Sequence, residues 1–296
     1  MRMSPQIRWL PDGKRLHLND GPMDLILQAF GNEHQVQMAY REAAARFVTV
    51  LDELCAELTL LRKPMCLDST WPSGGVARRM ASGVAPFAKR CFITPMAAVA
   101  GAVAEEILDT MTSVAQLDRA YVNDGGDIAF HLGSGQQLVA GMIERPDRPS
   151  LLATVTLRFD QPGRGLATSG WRGRSFSLGI ADAVTVLARS ASVADAAATV
   201  IANAVNLPGH PGIVRKPACE LAPDSDLGDI PVTCSVSKLA EAEIADALDS
   251  GMRVAEELLA SDLIASVALS LQGHLRIVGS SPDRLVHSEA RSLVHA

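Results

Sequence analysis

A mixed α/β fold with sheet and packed helices is what the chain predicts, and three observations carry that prediction. Apolar residues recur at helical spacing over Glu33 to Leu61. Short β-type runs bounded by Gly, Asn, Asp and Pro fill the middle of the chain. Two alanine-rich segments then supply helices whose side chains have almost no bulk. The 296 residues fit either one large α/β domain or two intimately packed lobes, and 48% hydrophobic residues are enough for a sizeable core.

The elements follow in order. Ile7 to Leu10 and Arg15 to Leu18 read as a hairpin around Pro11-Asp12-Gly13-Lys14, with His17 a surface residue of the ribbon and not a ligand. Val36, Ala39, Ala43, Phe47, Val50, Leu51, Leu54, Leu58 and Leu61 define one long amphipathic helix ending near Lys63-Pro64, a core element or an oligomer surface. A breaker-rich loop then carries Trp71, either a lid over a flat ring or a side chain packed on the body, and leads to a short helix with Arg78 and Arg79. Thr94 as N-cap and Pro95 at the first helical position open the first alanine-rich helix, through Glu106. Its small residues permit close backbone approach, to a ligand or, more commonly, to a neighbouring strand.

Arg119 to Val122 and Ile128 to Leu132 read as strands joined through Asn123-Asp124-Gly125-Gly126-Asp127. An ordinary tight turn accounts for that loop, while the functional alternative lets Gly125 and Gly126 bring backbone against a nucleotide with Asp127 accepting from a hydroxyl. Further β runs follow at Gln137 to Ile143 and Leu151 to Phe159. Thr168-Ser169-Gly170 reads as a polar turn: Gly170 permits backbone N–H groups to converge on an anion, with Arg172 and Arg174 added, or the turn is plain surface with solvated arginines. After a strand at Ala183 to Ala188 the second alanine-rich helix starts with Ser192 as N-cap. Asp195 and Thr199 lie one turn apart on one face, an oxygen pair suited to Mg²⁺, although Ser192-x-x-Asp195 equally reads as a capping box and spacing alone favours the cap. Beyond the junction at 206–212, where His210 completes no triad or metal set, come a strand (Ile230 to Val236), a helix (Leu239 to Leu259), two strands (Leu263 to Leu271, Leu275 to Gly279) and a fraying tail from Ser280 to Ala296.

Composition excludes several functions. A net charge of −6 lacks the basic footprint of a nucleic-acid or anionic-membrane binder, which leaves small molecules and proteins as partners. The five cysteines are scattered, without a C-x-x-C pair, which argues against a disulfide framework or structural zinc. The first twenty residues lack the apolar run of a signal peptide, and Cys91 to Ala104 is too short to span a bilayer, so a cytoplasmic protein without a membrane anchor is expected.

Three segments in fixed order, PMAAVAGAVAEE (95–106), YVNDGGDIAF (121–130) and GLATSG with AVTVLARSASVADAAATVIANAV (165–170, 183–205), resemble the ApbE-like proteins, whose founding members are FAD:protein FMN transferases, and within them the shorter uncharacterised branch. The resemblance implies a T-fold-like architecture of antiparallel or mixed sheet with packed helices over about residues 1–279, a flavin-nucleotide cleft, and Mg²⁺ beside the pyrophosphate. By position it implies metal ligation by Asp195, Thr199 and the Ala100 carbonyl. Gly125, Gly126, Asp127, Thr168, Ser169 and Gly170 would border the cofactor, with Arg172 and Arg174 on phosphate. Where the transferases carry a His-Ile-(Ile/Leu)-Asp-Pro-x-Thr-Gly loop, this chain has SFSLGIAD (175–182), and Gly101 stands in the approximate place of the family's lysine. Asp182 is the one acidic group of that shortened loop and the candidate base. The expectation is a Mg²⁺-dependent transferase or hydrolase acting on a phosphorylated cofactor such as FAD, in a homo-oligomer. A non-catalytic flavin or nucleotide carrier, or an assembly protein with a vestigial cleft, are the alternatives.

Overall fold

The computed structural model describes residues 4–66, 68, 70–143 and 151–279. The chain runs β1 (Gln6–Trp9), β2 (Leu16–Asp20), β3 (Met23–Phe30), α1 (Glu33–Ala56), α2 (Leu58–Leu61), α3 (Gly75–Val84), α4 (Val99–Val114), β4 (Arg119–Asp124), β5 (Asp127–Leu132), β6 (Gln137–Ile143), β7 (Leu151–Arg158), β8 (Gly165–Ser169), β9 (Ala183–Ala188), α5 (Ala191–Ala204), β10 (Ile213–Pro217), α6 (Ala218–Leu221), β11 (Pro231–Val236), α7 (Glu241–Ala260), β12 (Ser266–Leu271) and β13 (His274–Gly279). A nine-stranded sheet in the order β1-β2-β3-β4-β5-β8-β9-β12-β13 organises it, and every neighbouring pair is antiparallel.

Period-two alternation fixes which face is covered. In β2 and β3 the residues Leu16, Leu18, Leu25 and Leu27 are buried and their neighbours are not, and Ala120, Val122 and Asp124 continue that face on β4. Helices cover it: α1 packs on β2 and β3, α4 on β4 and β5, α5 on β8 and β9, and α7 on β12 and β13. Two large apolar clusters result, one around Phe47, Met80, Ile107 and Met111, the other around Phe87, Ile180, Ile201 and Leu258. On the opposite face the β6–β7 hairpin seals a smaller cluster containing Phe130, Leu132, Leu157 and Leu166.

Local chemistry explains several boundaries, including some that differ from expectation. Asp12 turns the first hairpin by accepting the Lys14 and Arg15 amides, and Asn32 caps α1 by accepting the His34 amide. The long helix breaks at Glu57, short of Leu61, where the backbone leaves the helical region at φ −110° and ψ 9°, and the Glu57 carboxylate there holds the Ser73 and Gly74 amides. Thr94 does not cap a helix; its hydroxyl donates to Asp226, and Pro95–Ala98 form a 3₁₀ turn before α4 begins at Val99. Ser190, not Ser192, caps α5 by accepting the Val193 amide at 3.3 Å, so the Ser192-x-x-Asp195 capping box does not form. Thr168 and Ser169 are the last residues of β8 and not a turn. The small-residue helix α4 packs closely on another helix as well as on the sheet: a Cβ at Gly101 would lie 2.5 Å from the Ala191 carbonyl carbon, so glycine lets α4 cross α5 nearly backbone to backbone. The expected tail, 280–296, lies outside the described residues.

Candidate functional site

One end of the sheet gathers the acidic groups. The β4–β5 hairpin closes through Gly125 and Gly126, at φ +65° and +118°, values that glycine adopts without strain, and the Gly126 amide donates to Asn123 Oδ1 at 2.8 Å. Asp124 and Asp127 flank this two-residue turn as cross-strand partners. Asp124 points inward on the face of Ala120 and Val122 and is 5% exposed. Asp127 accepts the Thr168 amide at 3.0 Å, tying the hairpin to the end of β8, and the Thr168 hydroxyl meets that of Thr185 at 2.9 Å.

Asp195 reaches this group from α5. Its Oδ2 accepts the Gly101 amide at 3.0 Å, and the Ala100 amide also donates to the carboxyl, so Asp195 caps the first turn of α4, a helix with no side-chain cap from Ala98. The capping reading of this residue therefore holds for a different helix from its own. Asp127 and Asp195 keep partial solvent contact while their carboxyl groups sit deep among protein atoms. Burial pushes Asp124 up to about 6, and it pushes Asp127 up to about 7 with the Asp124 charge adding to the rise. Burial and then the charges of Asp127 and Asp124 hold Asp195 well above the usual carboxylate range. Asp124 thus raises Asp127 and both raise Asp195, so the three carboxyl groups together form a region of negative potential with a demand for positive charge.

Arg174 partly answers that demand. Its guanidinium lies over the α-carbon of Gly125, in the space a side chain there would need, and its charge favours the ionised forms of Asp24, Asp124 and Asp127. Arg172 does otherwise: its Nε donates to Asp182 Oδ1 at 2.7 Å and its guanidinium stacks 4.2 Å above the Trp171 ring. The second Asp182 oxygen accepts the Gln272 amide at 2.6 Å, and the residue is 5% exposed. Asp182 thus joins the 171–182 segment to the β12–β13 turn with both oxygens engaged, an arrangement that suits a structural clasp and not a free base. Gly170 is required for close approach: a Cβ there would lie 2.9 Å from the Ala181 oxygen, and the Trp171 amide bonds that same carbonyl, so this backbone is paired and is not a convergent anion nest.

The structure therefore brings together Gly125, Gly126, Asp127, Thr168, Arg174, Asp195 and the Ala100 backbone. Thr199 follows one turn after Asp195 on α5, part-exposed. Ser169 ends β8 beside this group, whereas Arg172 and Asp182 are committed to each other. Asp124 and Asp24 are members the sequence reading passed over. The signal for Asp124 was alternation, since a charged residue two positions after Ala120 and Val122 must face inward. Among the described residues no three His, Cys, Asp or Glu side chains stand close enough to hold one ion by themselves. A cavity of about 470 Å³ between α3, α4 and α5, lined by Arg78, Glu105 and Ser192 among others, contains none of the aspartates. The first amides of α5 that face it are already satisfied, the Ser192 amide donating to Glu105 and the Val193 amide to Ser190, and the carboxylate group is the stronger candidate.

An antiparallel α/β protein with a carboxylate cluster at its hairpin ends is the class this geometry defines. The chain belongs to the AbpE bacteria family, whose model matches residues 7–277. It is 34% identical over 165 residues to a UPF0280 protein of Methanothrix thermoacetophila, covering 53% of this chain and 64% of that protein. It is 40% identical over 134 residues to a UPF0280 protein of Archaeoglobus fulgidus, covering 45% and 52%. The chain thus spans between about half and two thirds of the length of these relatives. Among solved structures it aligns with the apo flavinyl transferase ApbE of Pseudomonas stutzeri at a TM-score of 0.42 and 10% identity, over 95% of this chain and 96% of that one. Among the described residues no helix is long and apolar enough to cross a membrane.

Proposed function

We propose that the chain binds a flavin nucleotide, with FAD the candidate, together with Mg²⁺ at the carboxylate end of the sheet, and cleaves the FAD pyrophosphate with release of AMP. The observation that carries this reading is the cluster of Asp124, Asp127 and Asp195, whose carboxyl groups are all raised by burial, Asp127 further by Asp124 and Asp195 further by both, under a glycine hairpin over which Arg174 lies. The ordered motifs, through their resemblance to the FAD:protein FMN transferases, support the same reading. The donor set fits a hard cation: Asp195, the Thr199 hydroxyl and the Ala100 carbonyl would hold Mg²⁺ through oxygen. When bound, the ion supplies charge neutralisation at the diphosphate. The residues of the chain do the rest: Arg174 meets phosphate, Gly125 and Gly126 admit it close to backbone, and Asp127 fixes the end of β8 through the Thr168 amide.

A non-catalytic carrier is the second reading, favoured by one observation: Asp182, the acidic residue of the shortened loop, has both oxygens bonded. One experiment separates the two. FAD should raise the melting temperature only with Mg²⁺ present, and AMP should appear, with both effects lost in Asp195→Asn. A shift without AMP selects the carrier, and no shift from FAD with Mg²⁺ overturns both readings. The expected homo-oligomer, cytoplasmic location and absence of nucleic-acid or membrane partners belong to this proposal, and gel filtration with light scattering tests the first of them.

A further inference from the structure

Helix α5 is covered on nearly every side, yet one strip of it stays open. Nine of its fourteen residues are buried, mostly alanine, valine and isoleucine, and among those left part-exposed Asp195, Thr199 and Asn203 recur at four-residue spacing. Residues so spaced share a face, each about 6 Å further along the axis, so three polar side chains line up over about 12 Å of an otherwise apolar helix. The ends of the strip are tied to different walls. Asp195 accepts the Gly101 and Ala100 amides of α4, whereas Asn203 Oδ1 accepts the Leu178 amide at 2.8 Å and the Ser177 hydroxyl at 3.2 Å. A backbone N–H can only donate, so the Leu178 amide fixes the Asn203 oxygen toward itself and turns Nδ2, a pure donor, away. Among the described residues neither Asn203 Nδ2 nor the Thr199 hydroxyl has a hydrogen-bond partner. The segment that Asn203 holds reaches the carboxylate cluster four residues earlier, at Arg174, whose guanidinium lies over Gly125. Helix strip and segment therefore both lead from the cluster to Asn203.

We propose that Asn203 makes this site selective for diphosphate esters over monophosphate esters, its Nδ2–H donating to the phosphate farther from the carboxylates, an assignment that rests on the function proposed above. The strip offers oxygen ligands at Asp195 and Thr199 for the cation that holds one phosphate, and then, about 6 Å beyond Thr199, a group that can only donate. A second phosphate carried along the strip meets that donor with an anionic oxygen, and hydrogen bonds to charged acceptors are among the stronger ones. A monophosphate held at the cation leaves the donor to water. The Leu178 and Ser177 bonds hold the amide in place before any ligand arrives, so little ordering is needed when the phosphate meets it.

The test reads flavin fluorescence on rapid mixing of the full chain and Mg²⁺ with FAD or with FMN, which lacks the second phosphate, and so gives both dissociation constants before turnover. Asn203→Asp keeps an oxygen for the Leu178 amide and the Ser177 hydroxyl but sets a second oxygen where the donor was. It should melt like wild type without ligand and bind FAD at least tenfold more weakly, with a much smaller change for FMN. Asn203→Ala removes the donor without adding charge and should weaken FAD by about tenfold as well, at a lower melting temperature because the Leu178 amide loses its acceptor. It decides the matter if Asn203→Asp does not fold. An asparagine that only clasped the 177–178 segment would leave the FAD-to-FMN ratio unmoved, so FAD affinity that is unchanged, or that falls no more than FMN affinity, overturns the assignment while leaving flavin binding standing. A wild type that binds no FAD with Mg²⁺ overturns both.

Discussion

Gly101→Ala tests the closest approach in the molecule. The new Cβ would lie 2.5 Å from the Ala191 carbonyl carbon and 2.9 Å from the Ser192 amide nitrogen, with the Ala191 oxygen nearer still, whereas ordinary contact begins at 3.4 Å. These are backbone atoms of a capped helix, so no side chain can swing aside. α4 and α5 must separate by roughly 1 Å, and overpacking of this kind costs about 3 kcal/mol, the upper end of its usual range. Alanine regains about 1 kcal/mol of helix propensity over glycine, leaving a net loss of roughly 2 kcal/mol. With an unfolding entropy of about 2.1 cal/mol/K per residue, that loss lowers Tm by roughly 3 °C. The Gly101 amide also donates to Asp195, so the separation should weaken Mg²⁺-dependent stabilisation by FAD in the same variant. Scanning calorimetry, with and without FAD and Mg²⁺, reads both effects. If the helices were not in near backbone contact, the propensity term would act alone and Tm would rise; an unchanged or raised Tm refutes the packing argument.

The remaining predictions concern the polar groups. Burial pushes the Asp127 carboxyl up to about 7 from its ordinary value of 3.8, so the folded state holds the extra proton between those limits and its stability falls as pH rises through that window. Asp127→Asn should therefore gain stability relative to wild type from pH 4 to pH 8 in metal-free buffer, and a difference in Tm that stays flat with pH refutes the shift. Arg172→Ala leaves Asp182 buried with one partner fewer and should cost about 3 kcal/mol in urea unfolding; Asp182→Asn should disturb stability more than turnover, and a folded Asp182→Asn that releases no AMP from FAD would restore Asp182 as the base. Trp171 Nε1 is buried without a hydrogen-bond partner among the described residues, so Trp171→Phe should be neutral or stabilising by about 1 kcal/mol, and a clear fall in Tm contradicts this. Asp195→Asn keeps an oxygen for the Gly101 amide and should melt no lower than wild type above pH 7 while losing the Mg²⁺-dependent shift, whereas Asp195→Ala should lose the α4 cap as well, worth about 1 kcal/mol. Equal melting temperatures for those two variants refute the capping role.

Much of the sheet was legible because strand alternation and turn chemistry are local. The Asp12 and Asn32 side chains act on amides two or three residues away, and the glycines of the β4–β5 turn announce their own φ. What sequence could not show was long-range pairing. Glu57, where α1 ends, bonds amides sixteen and seventeen residues on, and Thr94 donates to Asp226, 132 residues away, without capping a helix. The same limit shaped the reading of the site. The cluster positions Gly125, Gly126 and Asp127 came from ordered motifs; Asp124 lies within the same 121–130 segment but was given no role there, and Asp24 carries no motif and matters only because β3 and β4 are neighbours. The commitment of Arg172 to Asp182 was invisible for a further reason, since ten residues of irregular chain allow many other partners for either charge.

Asp195 shows why spacing alone favoured the wrong helix. A carboxylate near the start of a helix is expected to satisfy that helix's own amides, but Ser190 and Glu105 already take those of Val193 and Ser192. The acid is released to bridge to α4, where small residues let the two helices meet closely enough for its oxygen to reach the Gly101 amide. A carboxylate has about four acceptor positions, so two amides from α4 do not exhaust it. They instead hold its plane still, at the cost of crowding three buried acids together. A carboxylate that served only as a cap would gain nothing from Asp124 and Asp127 as neighbours, since each raises the energy of its charged form. Under the proposed cation binding, crowding of that kind would become favourable, and the cap would be the device that aims Asp195 at the ion.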